Sequence, residues 1–182
     1  MNTIILIGHR CTGKTSVGRL LAHRLGLDFI DADELIESRS NLTVREIVAR
    51  GGWPLFREKE KEILRELARR PDAVIAAGGG SCDDPENRKL LKEENLVVWL
   101  TADAETIIER MGLDTQSGER RPSLTGTDVL EETMSLLSQR APLFREIADL
   151  AIDTTGKTVA DVVGLIVDFR LHAKEFSCPE VQ

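Results

Sequence analysis

Residues 3–22 read TIILIGHRCTGKTSVGRLLA. The run Thr3–Gly8 is continuously apolar until its closing glycine, the pattern of a strand buried on both faces. From Lys14 onward Val17, Leu20, Leu21 and Leu25 recur at helical spacing, and Gly26 stops the helix. Between the two, Gly8-His9-Arg10-Cys11-Thr12-Gly13-Lys14-Thr15 satisfies G-x-x-x-x-G-K-[ST]. Gly13 is expected to let the backbone bend where a side chain would clash. Main-chain N–H groups then converge at the positive end of the following helix, where an anion binds. The bare pattern also arises by chance. A strand before it and an amphipathic helix after it are the context the motif demands. We therefore expect the loop Arg10, Cys11, Thr12, Gly13, Lys14, Thr15 and Ser16 to hold a nucleotide's phosphates. Lys14 would reach the β- and γ-phosphates, and the Thr15 hydroxyl would ligate Mg²⁺. A cysteine at position 11 is strained if that position needs positive φ.

Outward from this loop, strands and helices alternate. Further strands are predicted at Phe29–Asp31, Ala73–Ala77, Val97–Leu100 and Leu150–Asp153. Thr43-Val44-Arg45-Glu46 fits a capping box. Pro54 can open a helix carrying Phe56, Ile63, Leu64 and Leu67. Further helices are expected from Asp84-Pro85 to about Glu94, from Asp103 to Met111, and from about Asp128 with an interruption near Pro142. A last helix spans Thr158–Phe169. The alternation implies a three-layer α/β/α sandwich around a parallel sheet. Residues 112–126 lack apolar periodicity, and so long a loop is usually functional. We read one domain over residues 1–170, with 112–126 as a closing lid, and a frayed tail over 171–182.

The chain has 182 residues, 41% hydrophobic and 30% charged, as expected of one globular domain. Only 4% are aromatic and tyrosine is absent, so Leu, Ile, Val and Ala must build the core. A net charge of −7 argues against broad nucleic-acid binding, and no apolar run is long enough to span a bilayer. Cys11, Cys82 and Cys178 show neither disulfide nor metal spacing. The expectation is a cytoplasmic, soluble protein.

A phosphate loop does not say where the phosphate goes. Asp31 and Asp33 flank Ala32 at the end of the second strand, and the spacing puts both carboxylates on one face while the strand persists. One could serve Mg²⁺ and the other accept a hydrogen bond from a substrate hydroxyl; alternatively, Asp33 caps a helix from Glu34. Gly78-Gly79-Gly80 suits a ligand touching bare amides, or else a plain turn. Arg57 and Arg140 carry planar forks that fit a carboxylate, although lone arginines are commonly solvated.

Together, Gly8–Thr15, Asp31-Ala32-Asp33, Phe56-Arg57 with Glu60, Gly78-Gly79-Gly80, Arg121-Pro122 and Arg140-Ala141-Pro142-Leu143-Phe144 resemble the shikimate kinases, in order and spacing, from about Thr3 to Phe169. The resemblance implies transfer of the γ-phosphate of ATP to the 3-hydroxyl of shikimate, on a five-stranded sheet ordered 2-3-1-4-5. It implies that Asp33, Arg57, Gly78, Gly79, Gly80 and Arg140 hold shikimate, and that Thr15 and Asp31 serve Mg²⁺. Lys14 and the lid residue Arg121 would stabilise the transferring phosphoryl group, with Asp33 also at the catalytic centre. Arg110 would stack on adenine, with Lys157 nearby in the stretch Gly156–Val159. The family also implies a monomer. Gly52-Trp53 stands where many members have Gly-Glu, the segment Arg121–Gly126 departs from the commoner R-P-L-L, and Arg120 adjoins Arg121. Rival readings are a gluconate or nucleoside-monophosphate kinase, or a nucleotide switch without phosphotransfer. No N-K-x-D sequence supports a GTPase. The gluconate type is expected to carry D-G-D followed by histidine, whereas no histidine lies between His23 and His172.

Overall fold

A computed structural model describes residues 3–113 and 129–175. Five parallel strands form one sheet: β1 (Ile4–Ile7), β2 (Asp28–Asp31), β3 (Ala73–Ala76), β4 (Leu96–Thr101) and β5 (Leu150–Asp153). Their order is β2-β3-β1-β4-β5, as the resemblance implied. The helices are α1 (Lys14–Leu25), α2 (Ala32–Ser40), α3 (Val44–Leu67), α4 (Pro85–Lys92), α5 (Ala104–Leu113), α6 (Val129–Ile147) and α7 (Val159–Glu175), with a 3₁₀ turn at Ser81–Asp83.

The pleat of β1 divides the core. Ile5 and Ile7 face one layer, packing with Ile36, Ile47, Phe56, Leu64, Leu67 and Phe144 from α2, α3 and α6. Ile4 and Leu6 face the other, with Val17 and Leu21 of α1 and Val162, Val163 and Ile166 of α7. All four β1 residues are buried, which is why the strand reads as an unbroken apolar run.

Several local expectations match. Thr43 and Glu46 form a reciprocal capping box. Asp84 caps α4 and Pro85 occupies its first turn. The helix predicted at Pro54 is the second half of α3, which bends at Gly51 (φ −142°) and Gly52 (φ 69°). The last helix extends beyond Phe169 to Glu175.

One expectation is corrected. Helix α6 runs through Pro142 without interruption. Proline removes one backbone hydrogen bond, at a cost near 3 kcal/mol in an exposed helix. Here the residues beyond it are anchored, since Phe144 and Ile147 are buried against the sheet. Packing outweighs the local penalty. Among the described residues no helix is long and apolar enough to cross a membrane.

Candidate active site

The loop after β1 is shaped by backbone rather than by crowding. Gly13, the N-cap of α1, has φ 96°, and a β-carbon there would meet nothing closer than Val17 Cγ2 at 3.8 Å. Left-handed backbone, not the expected steric clash, therefore selects glycine. Cys11 also has positive φ, 60°, a conformation costing an ordinary residue about 1 kcal/mol. The first turn of α1, with exposed Ser16, carries no acidic side chain, so its N-terminal amides keep their positive end.

Side chains brace the loop from inside. Buried Thr12 donates its hydroxyl to the His9 carbonyl at 2.8 Å. Lys14 Nζ donates to the carbonyls of Gly8 (2.9 Å) and His9 (2.8 Å), so its ammonium lies across the loop. From outside, the Arg110 guanidinium donates to the Cys11 carbonyl at 3.3 Å and to the hydroxyl and carbonyl of Thr154, both at 2.9 Å. This clip ties α5 and the end of β5 to the phosphate loop. Lys157 is exposed in the turn beyond, its backbone N–H bonded to the Thr154 carbonyl.

Asp31 and Asp33 do not share a strand face. The strand ends at Asp31, which is the N-cap of α2; Asp33 already lies in the first helical turn. Asp31 Oδ1 accepts from the N–H of Asp33 (3.0 Å), and Oδ2 accepts from the Thr15 hydroxyl at 2.8 Å. The helix cap is therefore Asp31, and the alternative reading of Asp33 as a cap falls. Capping fixes Asp31 beside Thr15, and Asp33 lines a pocket. The Thr15 hydroxyl and Asp31 carboxylate together present hard oxygen donors at the mouth of the phosphate loop. That is the donor set suited to Mg²⁺, which keeps most of its ligands as water and phosphate.

The pocket lies at the carboxyl ends of β1, β2 and β3, where open α/β sheets gather ligands. His9 and Arg10 from the phosphate loop, Asp33 from α2, Trp53, Phe56, Arg57 and Glu60 from α3, Gly79 and Gly80, and Glu132 and Arg140 from α6 line it. The glycine run is explained by close approach. A β-carbon on Gly78 would overlap Glu60 Oε1, and one on Gly80 would overlap the Arg57 guanidinium. Bare backbone lets these charged groups pack at the strand end.

The charges form an alternating chain. Arg57 Nη1 donates to Glu60 Oε2 at 2.6 Å, while Glu60 is fully buried. Arg140, whose side chain is 9% exposed, holds both oxygens of Asp83 through Nε (2.9 Å) and Nη2 (2.7 Å). Asp83 Oδ2 also lies 3.9 Å from Arg57 Nη2. The Arg57 guanidinium further stands over the rings of Trp53 and Phe56, 5.6 Å and 5.4 Å from their centroids.

Burial sets the protonation states. Desolvation lowers His9 to about 4, with the positive charges of Lys14, Arg10 and Arg140 acting in the same direction. The imidazole beside the phosphate loop is therefore neutral near pH 7. Desolvation raises the Glu60 carboxyl, against the pull of Arg57. Burial pushes the Cys82 thiol up to about 12, which leaves it inert as a nucleophile.

Of the residues singled out in the sequence, Arg10, Asp33, Arg57, Gly79, Gly80 and Arg140 line this one pocket. Thr15 meets Asp31 outside that lining, and Gly78 abuts Asp33 and Glu60. Arg120 and Arg121 lie outside the described residues, as does most of the expected lid. Sequence reading missed Asp83, His9, Glu132 and Thr154. Asp83 adjoins the capping Asp84 and carries no periodic signal of its own. His9 and Thr154 become informative only through their burial, 2% and 3% exposed. Glu132 is buried although it opens a helix, where a carboxylate ordinarily serves the dipole.

Comparison with known proteins agrees with this geometry. A family model described as "Shikimate kinase" matches residues 10–170. A shikimate kinase of Syntrophus aciditrophicus (strain SB) is 45% identical over 96% of this chain and 93% of its own. One from Moorella thermoacetica is 46% identical over 87% and 88%. A solved structure of shikimate kinase from Acinetobacter baumannii in complex with shikimate superposes with a TM-score of 0.89 at 34% identity, covering 96% of this chain and 95% of that one.

Proposed function

This chain belongs to the shikimate kinase family, and from that premise we propose how its residues carry the reaction. The enzyme transfers the γ-phosphate of ATP to the 3-hydroxyl of shikimate, yielding shikimate 3-phosphate and ADP. The observation that carries this reading is the shared pocket: phosphate-loop residues and a cluster of carboxylate- and hydroxyl-binding side chains line one cavity. A γ-phosphate on the loop and a polyol in the pocket would therefore meet.

Shikimate offers one carboxylate and three hydroxyls. Arg57 and Arg140 suit the carboxylate, because a guanidinium fork matches its geometry. Asp33 accepts from a hydroxyl pair, and the amide N–H groups of Gly78, Gly79 and Gly80 donate to an oxygen. Arg10, Cys11, Thr12, Gly13, Thr15 and Ser16 supply the phosphate cradle, with Arg110 and Lys157 toward the base. Thr15 and Asp31 would hold Mg²⁺, directly or through water; when bound, that ion neutralises phosphate charge and orients the β- and γ-phosphates. Lys14 sits across the loop and would follow the charge that develops on the equatorial phosphoryl oxygens. Arg121, in the proposed lid, would add a second cation.

Phosphoryl transfer requires alignment and charge neutralisation more than a strong base. Asp33 is therefore an orienting group first: it fixes the acceptor oxygen in line and can take its proton as the bond forms. Excluding water then directs the phosphoryl group to the bound alcohol. We read the working enzyme as a cytoplasmic monomer of one domain.

The test is ADP release from Mg-ATP in the presence of shikimate, gluconate, AMP or no acceptor. Turnover with shikimate alone is expected. Equal release without acceptor would make the protein an ATPase or switch and would overturn the acceptor assignments.

A further inference from the structure

Arg140 already holds a carboxylate. Its Nε and Nη2 reach the two oxygens of Asp83 at 2.9 Å and 2.7 Å, the paired arrangement that an incoming carboxylate would make. The partners differ in burial. The Arg140 side chain is 9% exposed, whereas Asp83 is 41% exposed. A guanidinium so enclosed needs a counter-charge at all times. Asp83, standing on the short turn after Gly80 and half in water, can let go at little desolvation cost.

Charge balance points the same way. Glu60, Arg57, Asp83 and Arg140 form a chain of ion pairs of alternating formal charge that sums to zero within itself, with Asp83 behind the three that line the pocket. A substrate carboxylate placed on Arg140 adds a negative charge to that chain. It must share Arg140 with Asp83 or displace it.

We propose that Asp83 is an internal stand-in for the substrate carboxylate, neutralising Arg140 in the empty site and competing with shikimate for it. Asp83 thereby sets shikimate affinity without touching the transferring phosphate. This rests on the reading of Arg57 and Arg140 as the carboxylate clamp.

The test compares the wild-type enzyme with Asp83→Asn and Arg140→Met. Asparagine keeps the shape and one acceptor but removes the competing charge. Shikimate KM is expected to fall about three- to tenfold in Asp83→Asn, with the KM for ATP unchanged. Its melting temperature without shikimate should drop, and shikimate should raise it by more than in the wild type. The carboxamide of shikimate, which brings no charge, should gain no such advantage. A shikimate KM that stays the same or rises would overturn the proposal. Asp83→Ser carries the same expectation if the Asn protein folds poorly. Arg140→Met separates the two readings. If it leaves shikimate KM unchanged, the clamp itself fails. If it raises KM while Asp83→Asn does not lower it, only the role of Asp83 falls.

Discussion

The two halves of the site are built by different means. The phosphate loop comes from eight consecutive residues, Gly8–Thr15, and its shape follows from backbone angles at Cys11 and Gly13 and from the end of α1. The acceptor pocket takes side chains from α2, α3, α6 and the loops after β1 and β3, and ion pairs hold it together. The first half would bind by main-chain dipoles, which are fixed once the helix forms. The second would bind by charges drawn largely from separate elements, and one of them, Asp83, holds Arg140 where we propose a ligand carboxylate would. A main-chain cradle suits a phosphate, whose charge is the same in every nucleotide. A side-chain pocket can be tuned to one polyol.

The sharpest way to break this division is at Lys14. Lys14→Met should lower kcat by about a thousandfold or more, because in the proposed reaction it removes the cation that would follow the transferring phosphoryl. Shikimate binding, read by fluorescence, should persist. Loss of both together would mean that the halves are not separable.

Arg140→Met tests the other half. Shikimate KM should rise about a hundredfold, the loss of a charge-assisted bidentate contact, with the KM for ATP little changed. Steady-state kinetics with each substrate varied in turn would show it.

His9 lies between the halves and gives a pH dependence. Its folded-state value of about 4 lies below the unfolded value of 6.5, so the unfolded chain binds more protons in that window. Stability should therefore fall as pH drops below 6.5, by about 2 kcal/mol at pH 5, and the loss should level off below 4. Denaturant melts across this range should show a flatter profile for His9→Asn. The same slope in both proteins would assign the acid sensitivity elsewhere.

Thiol chemistry should distinguish the cysteines. Cys11 is partly exposed in the phosphate loop, whereas Cys82 is buried and its thiol is raised to about 12. A maleimide should modify Cys11 before Cys82, and Mg-ATP should slow inactivation about tenfold. Equal rates with and without nucleotide would remove Cys11 from the nucleotide half.

The smallest effect is expected at Trp53, which lines the pocket against Arg57 and Phe56. Shikimate should shift its fluorescence, and Trp53→Phe should abolish that shift while changing KM about twofold. A shift surviving in the variant would have to come from Trp99, packed on Phe144 away from this wall.

The phosphate loop, the parallel sheet and the fifth strand were legible because short-range patterns specify them: apolar runs, glycine punctuation and caps. The loop's glycine was identified correctly but for the wrong reason, since space is available at Gly13 and only φ is demanding. At Asp31 and Asp33 the two-residue spacing misled, because the helix starts one residue after the first aspartate. The interruption expected at Pro142 failed for a related reason: local propensity was read without the burial of Phe144 and Ile147.

By itself, the sequence determined where strands and helices lie, that an anion-binding loop joins β1 to α1, and that the chain resembles one kinase family. These are properties of neighbouring residues, and hydrogen bonding and apolar periodicity act over that range. Tertiary structure alone decided which charges from separate elements meet and which are buried. That Arg140 on α6 grips Asp83 after β3, that Glu60 lies buried beneath Arg57, and that Gly78 and Gly80 are bare to admit them depend on strands β1 to β3 ending side by side. Electrostatic pairing acts through space, so it takes shape only when the sheet has set the distances.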